Sequence, residues 1–149
     1  MRYIVIAGIL SFICGAVFAM EESSGTFEVS MEPQEESPGA GVSIGRATLK
    51  KRYMGGLEGE ATGQMLTAVS QVPTSAAYVA AEHFEGSLDG KTGSFALTHR
   101  GVMSQGEQEL SIDIVPDSGT DGLLGIRGSM TIERRDGQHL YVLTYTLGN

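Results

Sequence analysis

Tryptophan is absent from this 149-residue chain, cysteine occurs once, and only ten Lys and Arg residues face eighteen Asp and Glu. Each shortage excludes something. Nucleic acid and anionic membrane surfaces are not expected partners, because both require basic patches that an acidic chain does not supply. The single cysteine, Cys14, lies in an amino-terminal apolar run and follows Ile13 rather than a small residue, so it does not fit a lipid-attachment site. No sustained apolar spacing of helical period occurs, and with twenty-one glycines the chain favours strands and turns over helices.

Met1-Arg2-Tyr3, the apolar run from Ile4 to Phe18 and the small residue Ala19 follow the order of a secretory signal peptide. The run is shorter than the ~20 residues a membrane-spanning helix needs, so cleavage is expected rather than a permanent membrane span. Ala19 is the expected last residue of the leader, with Ala16 as the second choice. Residues 1–19 are read as signal peptide and 20–149 as one β-barrel domain, exported to the periplasm or the medium. Without Cys14 the exported domain has no disulfide, and it is long enough for a single hydrophobic core. Arg2 is the only basic residue lost with the leader, so eighteen carboxylates then face nine Lys and Arg, which favours solubility.

Alternation marks the strands. Phe27, Val29 and Met31 share one side of Thr26 to Met31, after which Glu32 to Gly41 reads as a solvated, proline-containing loop. A strand from Val42 to Tyr53 turns at Met54-Gly55-Gly56 and returns from Leu57 to Leu66. A three-residue turn there sets Arg52 beside Glu58 and Lys50 beside Glu60 on an outer face, with Leu49, Tyr53, Leu57, Ala61 and Met65 on the other. Lys51 shares that second face, where pointing inward would add it to a Lys–Glu–His cluster, but its ammonium is expected to snorkel out of the barrel end instead. Gln71 to Ser75 is a second loop. Further strands run from Glu107 to Val115, from Gly125 to Arg134 and from Gln138 to Leu147. Asp136-Gly137 is a hairpin signal that pairs Ile132 with Tyr141, Met130 with Leu143 and Gly128 with Tyr145.

The segment from Tyr78 to Gly101 is a hairpin that puts ionisable groups where core belongs. A turn at Asp89-Gly90-Lys91-Thr92 sets Gly86 opposite Phe95, Phe84 opposite Leu97 and Glu82 opposite His99. A one-pair slip would set Leu97 opposite Glu82 and leave His99 one diagonal away, still in reach. In either register Glu82 and His99 share a face with Tyr78, Ala80, Phe84, Leu88, Phe95 and Leu97. Eight strands joined mostly by hairpins must hide their edges, and glycines opposite aromatics suit strong bending. The expected fold is all-β, a closed antiparallel barrel of about eight strands.

Three blocks, Arg46 to Gly59, Tyr78 to Phe95 with His99, and Val115 to Gly128, resemble in their order the domain-of-unknown-function 3224 family. The resemblance runs from about Gly25 to Leu147. It implies an eight-stranded antiparallel barrel like that of allene oxide cyclase and the plant dirigent proteins, and it implies no established activity. No catalytic motif of those barrel enzymes can be laid on this chain residue by residue.

The candidate chemistry is therefore sparse. Glu82 and His99 suit an acid–base pair in which burial raises the carboxyl pKa, and equally an internal contact that holds register. Tyr53, Tyr78, Tyr141 and Tyr145 fall on inner faces, where a phenol lines a cavity or fills a core. No metal site is expected, because His83, His99 and His139 lack ligand spacing. Asp117 to Gly122 fails as a calcium loop, with Gly119 and Gly128 where ligands are required. No serine has the Gly-x-Ser-x-Gly setting, no glycine loop opens a helix, and no cofactor is expected. Three readings follow. The first is a carrier of a small, largely apolar ligand, with Tyr53, Tyr78 and Tyr145 as walls and Glu82 and His99 as polar contacts. The second is an isomerase or cyclase using Glu82 and His99, and the third is a non-catalytic homo-oligomeric scaffold.

Overall fold

The computed structural model describes residues 19–148, so residues 1–18, which carry Cys14 and all but Ala19 of the expected leader, lie outside the described residues. The chain forms β1 (Glu21–Pro38), β2 (Val42–Gly55), β3 (Leu57–Ser70), β4 (Ala76–Leu88), β5 (Lys91–Ser104), β6 (Glu107–Ile114), β7 (Arg127–Arg135) and β8 (Gln138–Thr146). Each strand pairs antiparallel with the next, and β1 returns to β8, so the sheet closes into the expected eight-stranded barrel. No α-helix occurs among the described residues, and therefore none there is long and apolar enough to cross a membrane.

Closure is complete only at one end. At the base, β1 pairs with β8 from Glu21 to Phe27. Beyond Phe27, β1 continues along β2 alone as far as Pro38, where a loop was expected. Its prolines and glutamates are tolerated because that stretch has a free outer edge, and a register shift between Pro33 and Glu35 absorbs Gln34. β7 and β8 turn back early at Asp136-Gly137, while β2 to β5 extend past them. The barrel therefore flares into an open half-sheet at the end opposite the base.

Two registers differ from expectation. Asp89 and Gly90, at φ +47° and +82°, make a two-residue turn, so Leu88 faces Lys91, Phe84 faces Phe95 and Glu82 faces Leu97. This is the one-pair slip, and it places Ala80 rather than Glu82 opposite His99. It also sets Gly86 against Gly93, with Gly59 on the far side, so three backbones approach closely in a row. Between β2 and β3 the turn is wider than three residues, and Arg52 lies opposite Glu60. The β7–β8 pairs agree with the reading from Asp136-Gly137.

Phe27, Tyr53, Leu57, Phe84, Leu88, Phe95, Leu97, Tyr141, Leu143 and Tyr145 fill the interior, stacked around Tyr53 with ring centroids 5.3 to 5.8 Å away. The loop after β6 plugs the base through a single 3₁₀ turn (Asp121–Leu123), with Leu123 and Ile126 fully buried. Gly128 faces Tyr145 so closely that an added Cβ would meet the Thr144 carbonyl. Gly128→Ala should therefore destabilise the fold by about 1–3 kcal/mol, read as a shift in the denaturant midpoint at constant slope. An unchanged midpoint would show that the strand can yield there.

Candidate functional site

A spacing in β3 decides what can meet inside the barrel. Its inner face reads Gly59, Ala61, Gly63, three residues with almost no side chain, between Tyr53, Lys51 and Leu49 on β2 and Gly86, Phe84 and Glu82 on β4. Neighbouring strands are ~4.8 Å apart, so side chains of β2 and β4 can meet across this bare strip. An added Cβ on Gly63 would press on the Glu82 backbone at 3.1 Å.

Lys51 Nζ lies 2.6 Å from Glu82 Oε2, and the Tyr53 hydroxyl donates to Glu82 Oε1 at 2.7 Å. His99 Nε2 stands 3.1 Å from the same Oε2. Lys51 also donates to the Tyr53 hydroxyl at 3.4 Å and places its ammonium 5.0 Å from the centre of the Phe27 ring. Glu82, His99 and Lys51 are 2%, 6% and 8% exposed, so the group is sealed from bulk water. Lys51 does not snorkel outward as expected, because a buried carboxylate is the nearer and stronger partner. The approach of His99 Nε2 to Glu82 Oε2 has the length of a hydrogen bond without its alignment, and neither atom gains another well-aligned partner.

Burial pushes the Glu82 carboxyl up, but the His99 contact, the charge and close approach of the Lys51 ammonium and the Tyr53 hydrogen bond together outweigh it and hold the pKa at about 2. Burial first, and then the Glu82 charge, push the Tyr53 phenol far up. Tyr78 is raised by the same two causes in the same order, so its hydroxyl lies within the field of Glu82. Burial acts on Glu82 in the expected direction, but the net shift is downward rather than the raised pKa expected. A carboxylate this acidic is a weak proton acceptor at neutral pH.

The tyrosines part company. Tyr53 is core and a member of the charged cluster, and Tyr141 spends its hydroxyl on the backbone N–H of Leu57 at 2.7 Å. Tyr145 sits at the base, away from Glu82, with its hydroxyl 3.0 Å from both Glu21 Oε2 and Asp89 Oδ2. Burial, then its hydrogen bonds to Asp89 and Glu21, push the Tyr145 phenol up. Ser23 donates to the other Asp89 oxygen at 3.0 Å, which ties β1 to the β4–β5 turn. Tyr78 alone of the four is half-exposed, with its ring lying across Gly101, its partner on β5.

Above the charged cluster the flared end holds a groove of about 300 Å³, lined on its inner face by Met65, Val69, Tyr78, Gly101, Met103 and Leu110. Its walls continue the inward-facing positions of β3 to β6. Glu82 and Tyr53 do not line it. Among the described residues no three His, Cys, Asp or Glu side chains converge as metal ligands. Alternation puts Lys51 on the inner face but leaves its direction open, and the Gly59-x-Ala61-x-Gly63 strip is the one local hint that it turns inward rather than snorkelling out.

The family described as "Protein of unknown function (DUF3224)" matches residues 23–145 of the chain. The chain belongs to the DUF3224 family. A crystal structure of a DUF3224 protein of unknown function from Shewanella oneidensis MR-1 superposes with a TM-score of 0.82 at 37% identity, covering 88% of this chain and all of that one. None of the curated proteins matches this DUF3224 chain.

Proposed function

We propose that this DUF3224 protein is an exported carrier that holds a small, largely apolar molecule in the groove at the flared end of its barrel. The observation that carries the reading is the groove itself, an inward-facing apolar hollow of about 300 Å³ with one phenol in its wall. Its size lies at the lower bound of ligand pockets, and a few polar groups in an apolar lining is their usual composition. The tightly packed interior beneath leaves Tyr53 and Tyr145 as core, so the ligand meets Tyr78, Met65, Met103 and Leu110 instead. Glu82 and His99 do not line the groove, and Glu82 bears on it only through its charge on the Tyr78 phenol. Two methionines, Met65 and Met103, give the lining adaptable, polarizable surfaces.

An environment-sensitive apolar dye should bind saturably, and Tyr78→Ala should weaken it about tenfold by removing an aromatic wall. Tyr78 is partly buried with its ring across Gly101, so the melting temperature should fall as well, and binding is compared at a temperature where both proteins are folded. No saturable uptake, or uptake indifferent to Tyr78→Ala, would sink the carrier reading.

A scaffold role draws support from a different face. Ile44, Leu66 and Val79, 47%, 51% and 52% exposed, lie on adjoining outer strands and form an apolar patch that a second copy could cover. Light scattering reads this directly: a dimer or larger form that Leu66→Lys disperses supports it, and a monomer at all concentrations removes it.

A further inference from the structure

The sheet leaves three strand edges unpaired toward the flared end, those of β1, of β6 and, diverging from β6 beyond Ser129, of β7; the edges of β1 and β6 are unlike. Beyond Phe27 the outer edge of β1 carries Pro33, Pro38, an irregularity at Gln34 and four glutamates, the devices that blunt an edge against pairing. β6 has none of the prolines or irregularities. It pairs with β5 throughout but with β7 only at Asp113 and Ser129. Its first five residues, Glu107 to Ser111, are all exposed.

The phase of the ladder says which groups are free. Val115 N–H donates to the Ala96 carbonyl at 2.9 Å, so Asp113, Ser111 and Glu109 direct their amides toward β5. Gln108, Leu110 and Ile112 then direct theirs to the open side, and among the described residues no side chain accepts from them. Outward from the sheet this edge shows Glu107, Glu109 and Asp113. Inward it shows Leu110, beside Met103 and the apolar groove.

We propose that the free edge of β6 is a docking site for an extended basic segment of another protein, which adds a strand with Lys or Arg facing outward and apolar residues facing inward. Main-chain bonds from Leu110 and Gln108 supply the pairing, and alternate side chains supply the selectivity. Charge complementarity chooses this occupant over a second copy. Two β6 strands paired antiparallel would bring Glu107, Glu109 and Asp113 of one against the same carboxylates of the other, and like charges across strands repel. The acidic β1 tail of a second copy is excluded for the same reason. The proposal does not depend on a small molecule in the groove, since the groups that pair are main chain.

The test uses a fluorescent peptide of about six residues alternating Lys and Val, and a control of the same composition with its lysines and valines in separate blocks. Saturable binding of the alternating peptide, at least about tenfold tighter than the block peptide, is expected. Amide exchange on the wild-type protein should slow at Leu110 and Gln108 when that peptide is added. Leu110→Pro removes an outward donor without touching the bonds to β5 and should weaken binding about tenfold. Glu109→Lys should weaken it and flatten its salt dependence. Equal binding of both peptides would mean charge attraction alone and overturn the proposal, as would unchanged exchange at Leu110 under saturating peptide. Should Leu110→Pro fail to fold, the exchange measurement on the wild-type protein decides.

Discussion

Lys51→Met is expected to lower stability by about 3–5 kcal/mol at neutral pH, the usual cost of leaving one partner of a buried ion pair uncompensated. For a domain of this length that is a fall of roughly 10–20 °C in melting temperature. The reason lies in the surroundings of Glu82. Its Oε2 loses the ammonium at 2.6 Å, and His99 at 3.1 Å cannot replace a full charge with an aligned hydrogen bond. The deficit should shrink as pH falls, because the abandoned carboxylate can be relieved by taking up a proton. Adding Glu82→Gln should restore much of the loss, since a neutral amide still accepts from Tyr53 and no longer needs a cation. Thermal unfolding of the two single variants and the double variant measures this. Additive losses in the double variant would show that Lys51 and Glu82 stabilise the barrel independently.

Acid should unfold this protein through the same carboxylate. The Glu82 pKa is about 2 in the fold against 4.5 for an unperturbed carboxyl. A depressed folded pKa means that the unfolded state binds the proton more readily. The associated stability is fully present above about pH 4.5 and is lost as pH falls toward 2, with a total on the order of 3 kcal/mol. Other carboxylates contribute to the acid profile, so the informative quantity is the difference between wild type and Glu82→Gln across that window. The wild-type protein should lose its advantage as the solution is acidified, and a difference independent of pH would contradict the depressed pKa. Enzyme chemistry based on Glu82 as a base meets the same obstacle, because a carboxylate stabilised this strongly forfeits that stabilisation on accepting a proton and does so only at low pH.

Local pattern carried most of the architecture. The alternation of Phe27, Val29 and Met31, the Asp136-Gly137 turn and the unbroken run of hairpins identify strands, and eight of them require closure. The β7–β8 register followed from one dipeptide because a two-residue turn leaves no freedom. Asp89-Gly90 carried the same signal, and the four-residue reading of that turn missed it by one pair. The slip preserved the face of Glu82 and His99, since side chains alternate with period two, but it changed which residues are opposite. The extension of β1 through Pro33 and Pro38 was illegible for another reason. Those residues oppose pairing in general, and only the early turn of β7 into β8 creates the free edge on which they are tolerated.

By itself the sequence determined an acidic, nearly all-β domain of the DUF3224 barrel type, with a carboxylate and an imidazole on an apolar face. Tertiary structure alone decided that Lys51 reaches Glu82, that Tyr53 and Tyr145 are core at different levels, and that the interior is filled while the flared end holds a groove. The physical reason is separation. Alternation and turn chemistry act between residues near in sequence or directly paired, whereas Lys51 and Glu82 meet across an intervening strand whose glycines leave no side chain between them. The curvature of the closed sheet sets that distance, and no run of neighbouring residues records it.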